Sequence, residues 1–231
     1  MGTVWTTLPL IGFDTETTGV DPRCDRLVTC SLVRVDSEGT SRRYWLADPR
    51  VEIPEAASQV HGITTEQARL EGRPIAEVLG EIADILGAQL AAGQPVVAFN
   101  ASYDFTLLES ELARHGLPTL SQRLGGEIFP VIDPYLLDRG VDRYRKGKRR
   151  LENLVMHYGV FQDDSFHNAE ADVVATLRVL GAMLERFPQL REKELREIVD
   201  IQIGAEREFQ EFLRKVGRSD GPKEGWPVPR P

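Results

Sequence analysis

The spacing of apolar positions changes several times along the chain, and each change predicts an element. The largely apolar run LPLIGF, from Leu8, reads as a buried strand that ends in Asp14 and Glu16. The β-branched stretch 27–35 (LVTCSLVRV) and the segment 42–47 (RRYWLA) flank a turn-forming cluster at 36–39, so the three predict an antiparallel meander. Thr64 and Gln67 have the spacing of a capping box that starts a short helix. After Pro74, apolar residues at 75, 78, 79, 82, 85, 86 and 90 follow helical spacing and stop at Gly93. A strand at PVVAFN, a helix from Tyr103 to His115 and a strand at IFPVIDP come next. A short helix over 151–160 and a long one over 169–187 follow, bounded by Pro188.

Strands first, then alternating helices and strands, predict an α/β domain over 1–187: a mixed five-stranded sheet flanked by helices. Residues 189–216 carry Leu195, Val199, Ile203, Phe209, Phe212, Leu213 and Val216 among charges, which predicts an appended C-terminal helix within 188–231. The Gly- and Pro-rich end around Trp226 reads as extended or disordered. No internal repeat is visible.

Charge changes this picture locally. The 28 basic and 36 acidic residues leave a formal net charge of −8, which argues against a uniformly cationic nucleic-acid coat. The stretch RGVDRYRKGKRR, 139–150, nevertheless concentrates positive charge. It reads either as a solvated mobile loop or as an arm in which Tyr144, Arg145, Lys146, Lys148 and Arg149 track phosphates and stack a base. Cys24 and Cys30 lack metal spacing and are too few for a disulfide framework, so a reducing, cytoplasmic setting is expected. No apolar run approaches the roughly 20 residues of a membrane span, and no secretion signal is visible, so no membrane association is expected.

The acids carry the candidate chemistry. In a strand, residues two apart share a face, so Asp14 and Glu16 converge. Burying both unpaired costs several kcal/mol or forces one to keep its proton, which calls for a cation between them. Hard oxygen donors favour magnesium or manganese over zinc. The pair also fits the opening of a solvated turn with Thr15, Thr17 and Thr18. Asp104 falls in the first turn of a helix that follows a strand. The helix dipole alone accounts for an acid there, but ligands gather at such strand ends in α/β sheets. His167 and Asp172 are five apart, roughly 140° round a continuous helix at 3.6 residues per turn. They share a site only if Asn168 caps the helix and leaves His167 on the loop before it. A lone His before a helix is more often just a surface residue. Glu170 is expected to face solvent.

FDTETTG, NASYDFTLLESEL and HNAEADVVAT, in that order, resemble the three motifs of the DnaQ-like 3′→5′ exonucleases. These form the H-x4-D branch of the DEDD superfamily and include the proofreading epsilon subunit of DNA polymerase III. The resemblance spans 8–187. It implies a ribonuclease H-like fold in which Asp14, Glu16, Asp104 and Asp172 hold two divalent ions, Mg2+ or Mn2+, with His167 as general base. It places Thr15, Thr17, Thr18, Gly19 and Val20 near the 3′-terminal nucleotide, with Asn100 and Phe105 as further substrate candidates; Phe105 also fits the core. The implied reaction releases nucleoside 5′-monophosphates from single-stranded DNA or mismatched 3′ ends. An exoribonuclease acting on RNA 3′ ends or short oligoribonucleotides is the alternative, and an inactive nucleic-acid-binding module is disfavoured because all five positions are intact. VHGIT (60–64) and Asp133 also match the family and are read as structural. Phe99 stands where the family often has His, which is expected to alter packing only. No clamp-binding motif is visible, nor a long linker with a polymerase-binding tail. A polymerase or repair partner for the C-terminal extension is an open expectation.

Overall fold

The computed structural model describes residues 5–160 and 169–230. Strands β1 (Leu10–Thr17), β2 (Leu27–Asp36) and β3 (Gly39–Asp48) form the antiparallel meander, with Asp14 opposite Ser31 and Glu16 opposite Thr29. Two short helices follow, α1 (Glu55–His61) and α2 (Thr65–Glu71). Thr64 caps α2 by accepting from the Gln67 N–H, whereas the Gln67 side chain turns to Glu71, so only half of the expected capping box forms. Strand β4 (Arg73–Pro74) joins β3 in parallel and leads into α3 (Ile75–Ala91). The chain then runs through β5 (Val96–Val97), α4 (Ser102–Arg114), α5 (Leu120–Leu124), β6 (Val131–Ile132), α6 (Pro134–Val141), α7 (Leu151–His157) and α8 (Ala169–Arg186). It ends in α9 (Leu195–Lys215) and a packed tail.

The sheet order is β4-β3-β2-β1-β5-β6, six strands where five are predicted. The additional one, β4, is a two-residue strand containing Pro74, too short to show alternation. Helix α6 also departs from the expected basic loop, starting at Pro134 behind an Asp133 cap.

Period-two alternation sorts the strand residues onto the two faces. Ile11, Phe13, Val96 and Val131 pack with α3 and α4 on one side, and Val97 and Ile132 pack with α7 and α8 on the other. On the first side, Phe13 meets Phe105 edge to face at 5.5 Å, and both are fully buried. Glu111 of α4 is buried and accepts from the Leu27 N–H, which pins α4 across the start of β2.

The C-terminal extension is built into this core. Val199 and Trp226 join the α3/α4 side, while Ile198 joins the α7/α8 side. The Gln202 amide accepts from the Asp133 N–H and donates to the Val131 carbonyl. Trp226 is 9 % exposed and the Arg230 N–H bonds the Glu224 carbonyl, so the tail is neither extended nor unstructured over its described residues. Its composition hides this because one buried Trp supplies the anchoring. No helix among the described residues is long and apolar enough to cross a membrane.

Candidate active site

Gly12, Asp14 and Glu16 occupy one face of β1, and α8 crosses that face. A Cβ at Gly12 would overlap Val173 Cγ1 and lie 3.0 Å from Leu177 Cδ1, so the missing side chain is what lets α8 settle on the strand. Asp172, the residue before Val173, is thereby carried to the strand's end. Carboxylate oxygens of Asp14, Glu16 and Asp172 all lie within 4.8 Å of one another.

Asp104 reaches the same strand end from the opposite face. Thr15 points that way, and Asp104 Oδ1 accepts from both the Thr15 hydroxyl at 2.6 Å and the Thr15 N–H at 3.1 Å. Asp104 is 4 % exposed and stands behind the compact trio rather than inside it. Three of the four acids named by the sequence therefore meet directly, and the fourth is locked to the residue between two of them. His167 and its cap Asn168 lie outside the described residues. Glu170 does not simply face solvent: it pairs with Arg42 of β3 at 2.5 Å.

The acids raise one another's pKa. Burial, then the charges of Asp104, Glu16 and Asp172, push Asp14 well above the ordinary carboxylate range. Burial, then Asp172 and Asp104, lift Glu16 to about 7. Burial lifts Asp104 to about 7 against the opposing hydrogen bonds from Thr15. Neither Asp14 nor Glu16 has an ion-pair partner among the described residues. An all-oxygen cluster of this kind, in which close carboxyl groups hold on to protons, fits a hard divalent cation.

Two depressions flank the cluster. One, of about 470 Å³, is lined by Glu16, Gly19, Val20, Val60, His61 and Tyr103. Its hydroxyls are spent inside the protein: Thr17 and Tyr103 converge on the Gly19 carbonyl, and Thr18 donates to Asp25. Thr15 is likewise committed to Asp104, so the expected contacts from Thr15, Thr17 and Thr18 reduce to backbone and methyl surface. Val20 is 92 % exposed at the rim. His61 Nδ1 accepts from the Ile63 N–H, and burial lowers its pKa. Sequence reasoning misses Tyr103 and His61 as site residues, although Tyr103 sits one residue before Asp104 and His61 lies within VHGIT.

Phe105 requires a correction. Its packing on Phe13 in the core leaves it no surface for substrate. Asn100 lines the second depression in a left-handed conformation, φ 59°, held because Asp133 accepts from the N–H groups of Asn100 and Ala101. Phe99 packs on Tyr135 with ring centroids 5.8 Å apart, a packing role as expected.

The basic stretch is folded more firmly than a mobile arm. Buried Asp138 takes ion pairs from Arg145 and Arg149 and a hydrogen bond from the Tyr158 hydroxyl, so these two arginines are tied to the protein. Tyr144, Lys146 and Lys148 remain exposed. Asp138, Asp142 and His157 form a second acidic grouping, but the two guanidinium groups on Asp138 already neutralise it.

E. coli exonuclease I in complex with a dA16 oligonucleotide superposes with a TM-score of 0.65 at 19 % identity, covering 80 % of this chain and 42 % of that one. Exonuclease I from Methylocaldum szegediense does so with a TM-score of 0.66 at 25 % identity, covering 90 % of this chain and 45 % of that one. The fold is ribonuclease H-like, as in these DEDD-type nucleases. The chain belongs to the exonuclease family: the RNase T family model, described as Exonuclease, matches residues 11–180. DNA polymerase III subunit epsilon of Treponema pallidum is 27 % identical over 175 residues, 74 % of each protein. An epsilon-like protein of Rhodobacter capsulatus is 32 % identical over 191 residues, 78 % of this chain and 25 % of that protein. The chain thus spans most of the first relative but less than half of the exonuclease I structures and a quarter of the second relative.

Proposed function

We propose that this nuclease is a 3′→5′ exonuclease that removes nucleoside 5′-monophosphates from single-stranded DNA or mismatched 3′ ends. The observation that carries the reading is the convergence of Asp14, Glu16 and Asp172 within 4.8 Å at the end of a strand. When bound, two Mg2+ or Mn2+ ions would supply an activated water and charge stabilisation at the leaving oxygen. Asp14, Glu16 and Asp172 would hold them, with Asp104 contributing charge from behind and Thr15 fixing its orientation. His167, the general base that the resemblance to the DnaQ-like exonucleases implies, would take the proton from the attacking water near neutral pH. The depression beside Glu16 would seat the terminal nucleotide, with Val20 and Val60 offering apolar surface to its base and sugar. Single-stranded substrate is supported by the oligonucleotide complex of E. coli exonuclease I.

The test is digestion of 5′-labelled single-stranded DNA and RNA with Mg2+ or Mn2+ beside an Asp14→Ala control. A ladder that shortens from the 3′ end, faster on DNA and absent in the control, is the expected result. Cleavage confined to RNA would reassign the substrate, and no cleavage of either polymer with any divalent ion would overturn the reading.

A further inference from the structure

The second depression is a cleft of about 830 Å³ whose wall carries Asp14 and Asp172. Five cations share that wall: Arg139, Lys148, Arg149, Arg150 and Arg218. In a chain with a net charge of −8, the only acids lining the cleft among the described residues are two members of the acidic cluster. Arg149 is spent on Asp138. The other four form no ion pair among the described residues, and Lys148, Arg150 and Arg218 are exposed.

The aromatic lining is equally specific. The Arg139 guanidinium sits 3.6 Å from the Phe209 ring centroid and 4.8 Å from that of Tyr135. Stacking fixes the plane of a guanidinium and leaves its N–H edges available for an anion. Phe209 belongs to α9 and Arg218 follows it, so both lie beyond residue 180, where the family match ends.

We propose that this cleft is the track for the sugar-phosphate backbone of a single-stranded polynucleotide upstream of its terminal nucleotide. The C-terminal extension supplies Arg218 and, through Phe209, the fixed orientation of Arg139. The inference rests on the exonuclease reading for the position of the terminal nucleotide. A polyanion whose end lies at Asp14 and Asp172 must leave along one of the adjoining walls, and this wall is the cationic one. Backbone tracking by unpaired cations is sequence-tolerant and strongly salt-dependent.

Fluorescence anisotropy in EDTA tests the track without any turnover, using labelled oligothymidylates of about four and about twelve nucleotides. The wild type should bind the longer oligomer more tightly. Arg218→Glu should raise its dissociation constant by roughly 5- to 10-fold and reduce the slope of log affinity against log salt by about 0.7 for each phosphate the variant no longer neutralises. The shorter oligomer should change by less than about 2-fold. Arg139→Lys, which keeps the charge but not the planar stack, should weaken the longer oligomer as well. Arg69→Glu, the same charge change on α2, should alter neither. Equal effects from Arg218→Glu and Arg69→Glu would overturn the proposal. So would an unchanged salt slope, or tighter binding of an acidic peptide of matched charge. A wild type that binds with these properties but digests nothing would retain the track and contradict the exonuclease reading.

Discussion

Gly12 and Val173 touch where a side chain would not fit: a Cβ on Gly12 would overlap Val173 Cγ1. The neighbours of these residues, Asp14 along the strand and Asp172 along the helix, are the acids that must meet. Gly12→Ala should therefore push α8 off β1 and separate Asp14 from Asp172. We expect a loss of about 1–3 kcal/mol in stability from overpacking and at least a 10-fold fall in nuclease turnover. Gly80→Ala on α3, where a Cβ meets nothing within 4 Å, should instead stabilise by up to about 1 kcal/mol. Urea titrations and rates on labelled DNA check both, and an active, stable Gly12→Ala enzyme contradicts the account.

Thr15 should act through Asp104. Thr15→Val keeps the shape but removes the hydroxyl that donates to Asp104 Oδ1 at 2.6 Å. That bond holds the Asp104 pKa down, so its loss should move the acidic limb of the rate profile to higher pH and lower kcat by about 10-fold, with little change in KM. Thr15→Ser should restore the wild-type profile. A rise in KM alone would instead identify Thr15 as a substrate contact.

The metal-free protein should become more stable as pH falls from about 8 to about 6. Glu16 and Asp104 have folded-state values raised to about 7, and Asp14 is raised as well. Unfolded carboxylates titrate near pH 4. Between those limits the folded state binds more protons than the unfolded one, so unfolding free energy rises as protons are added. Thermal melts in EDTA should show a higher Tm at the lower pH, by about 2–4 °C per kcal/mol. Asp14→Asn should raise Tm at pH 8 and flatten the trend. A Tm that falls on acidification over this range would refute the raising of these carboxyl groups by burial and by one another's charge.

Mg2+ or Mn2+ should reverse that trend. Binding to the folded cluster stabilises it by mass action, by about 2.7 kcal/mol at 100 times the dissociation constant. Because the ions compete with the retained protons, affinity should weaken as pH drops below 7, and calorimetry in buffers of different ionisation enthalpy should detect proton release on binding. Asp14→Asn should abolish most of the stabilisation. Equal stabilisation of wild type and variant would place the ions elsewhere.

Gln202→Leu should cost about 2–4 kcal/mol, because it strands the buried Asp133 N–H and Val131 carbonyl together. Urea unfolding measures this, and a near-neutral result would show that water replaces the amide.

The meander and the sheet-and-helix order are legible in the sequence because they rest on periodicity, Asp14 and Glu16 because they end an apolar run, and Asp172 through the resemblance to the exonuclease motifs. Helix α8 is described from Ala169 onward, and the cap expected at Asn168 lies outside the described residues. What escapes depends on tertiary partners. Gly12 reads as a weak strand residue until Val173 is seen against it. Phe105 lies beside a metal-site candidate in sequence, yet its side chain turns to Phe13. Arg145 and Arg149 look like free cations until Asp138 is placed between them. Phe209 and Arg218 are remote from every motif, and only the packing of α9 on α6 brings them to the cleft.

The Gln202 bonds also bear on how the molecule behaves among its own copies. Strand β6 is the last in the sheet, and its outward backbone groups are those a neighbouring strand would seek. One side-chain amide, offering a donor and an acceptor like a peptide unit, occupies two of them, the Asp133 N–H and the Val131 carbonyl. Helix α9 thus ends the sheet where a seventh strand could add, and an exonuclease domain trimmed of its extension would present that margin to the next chain.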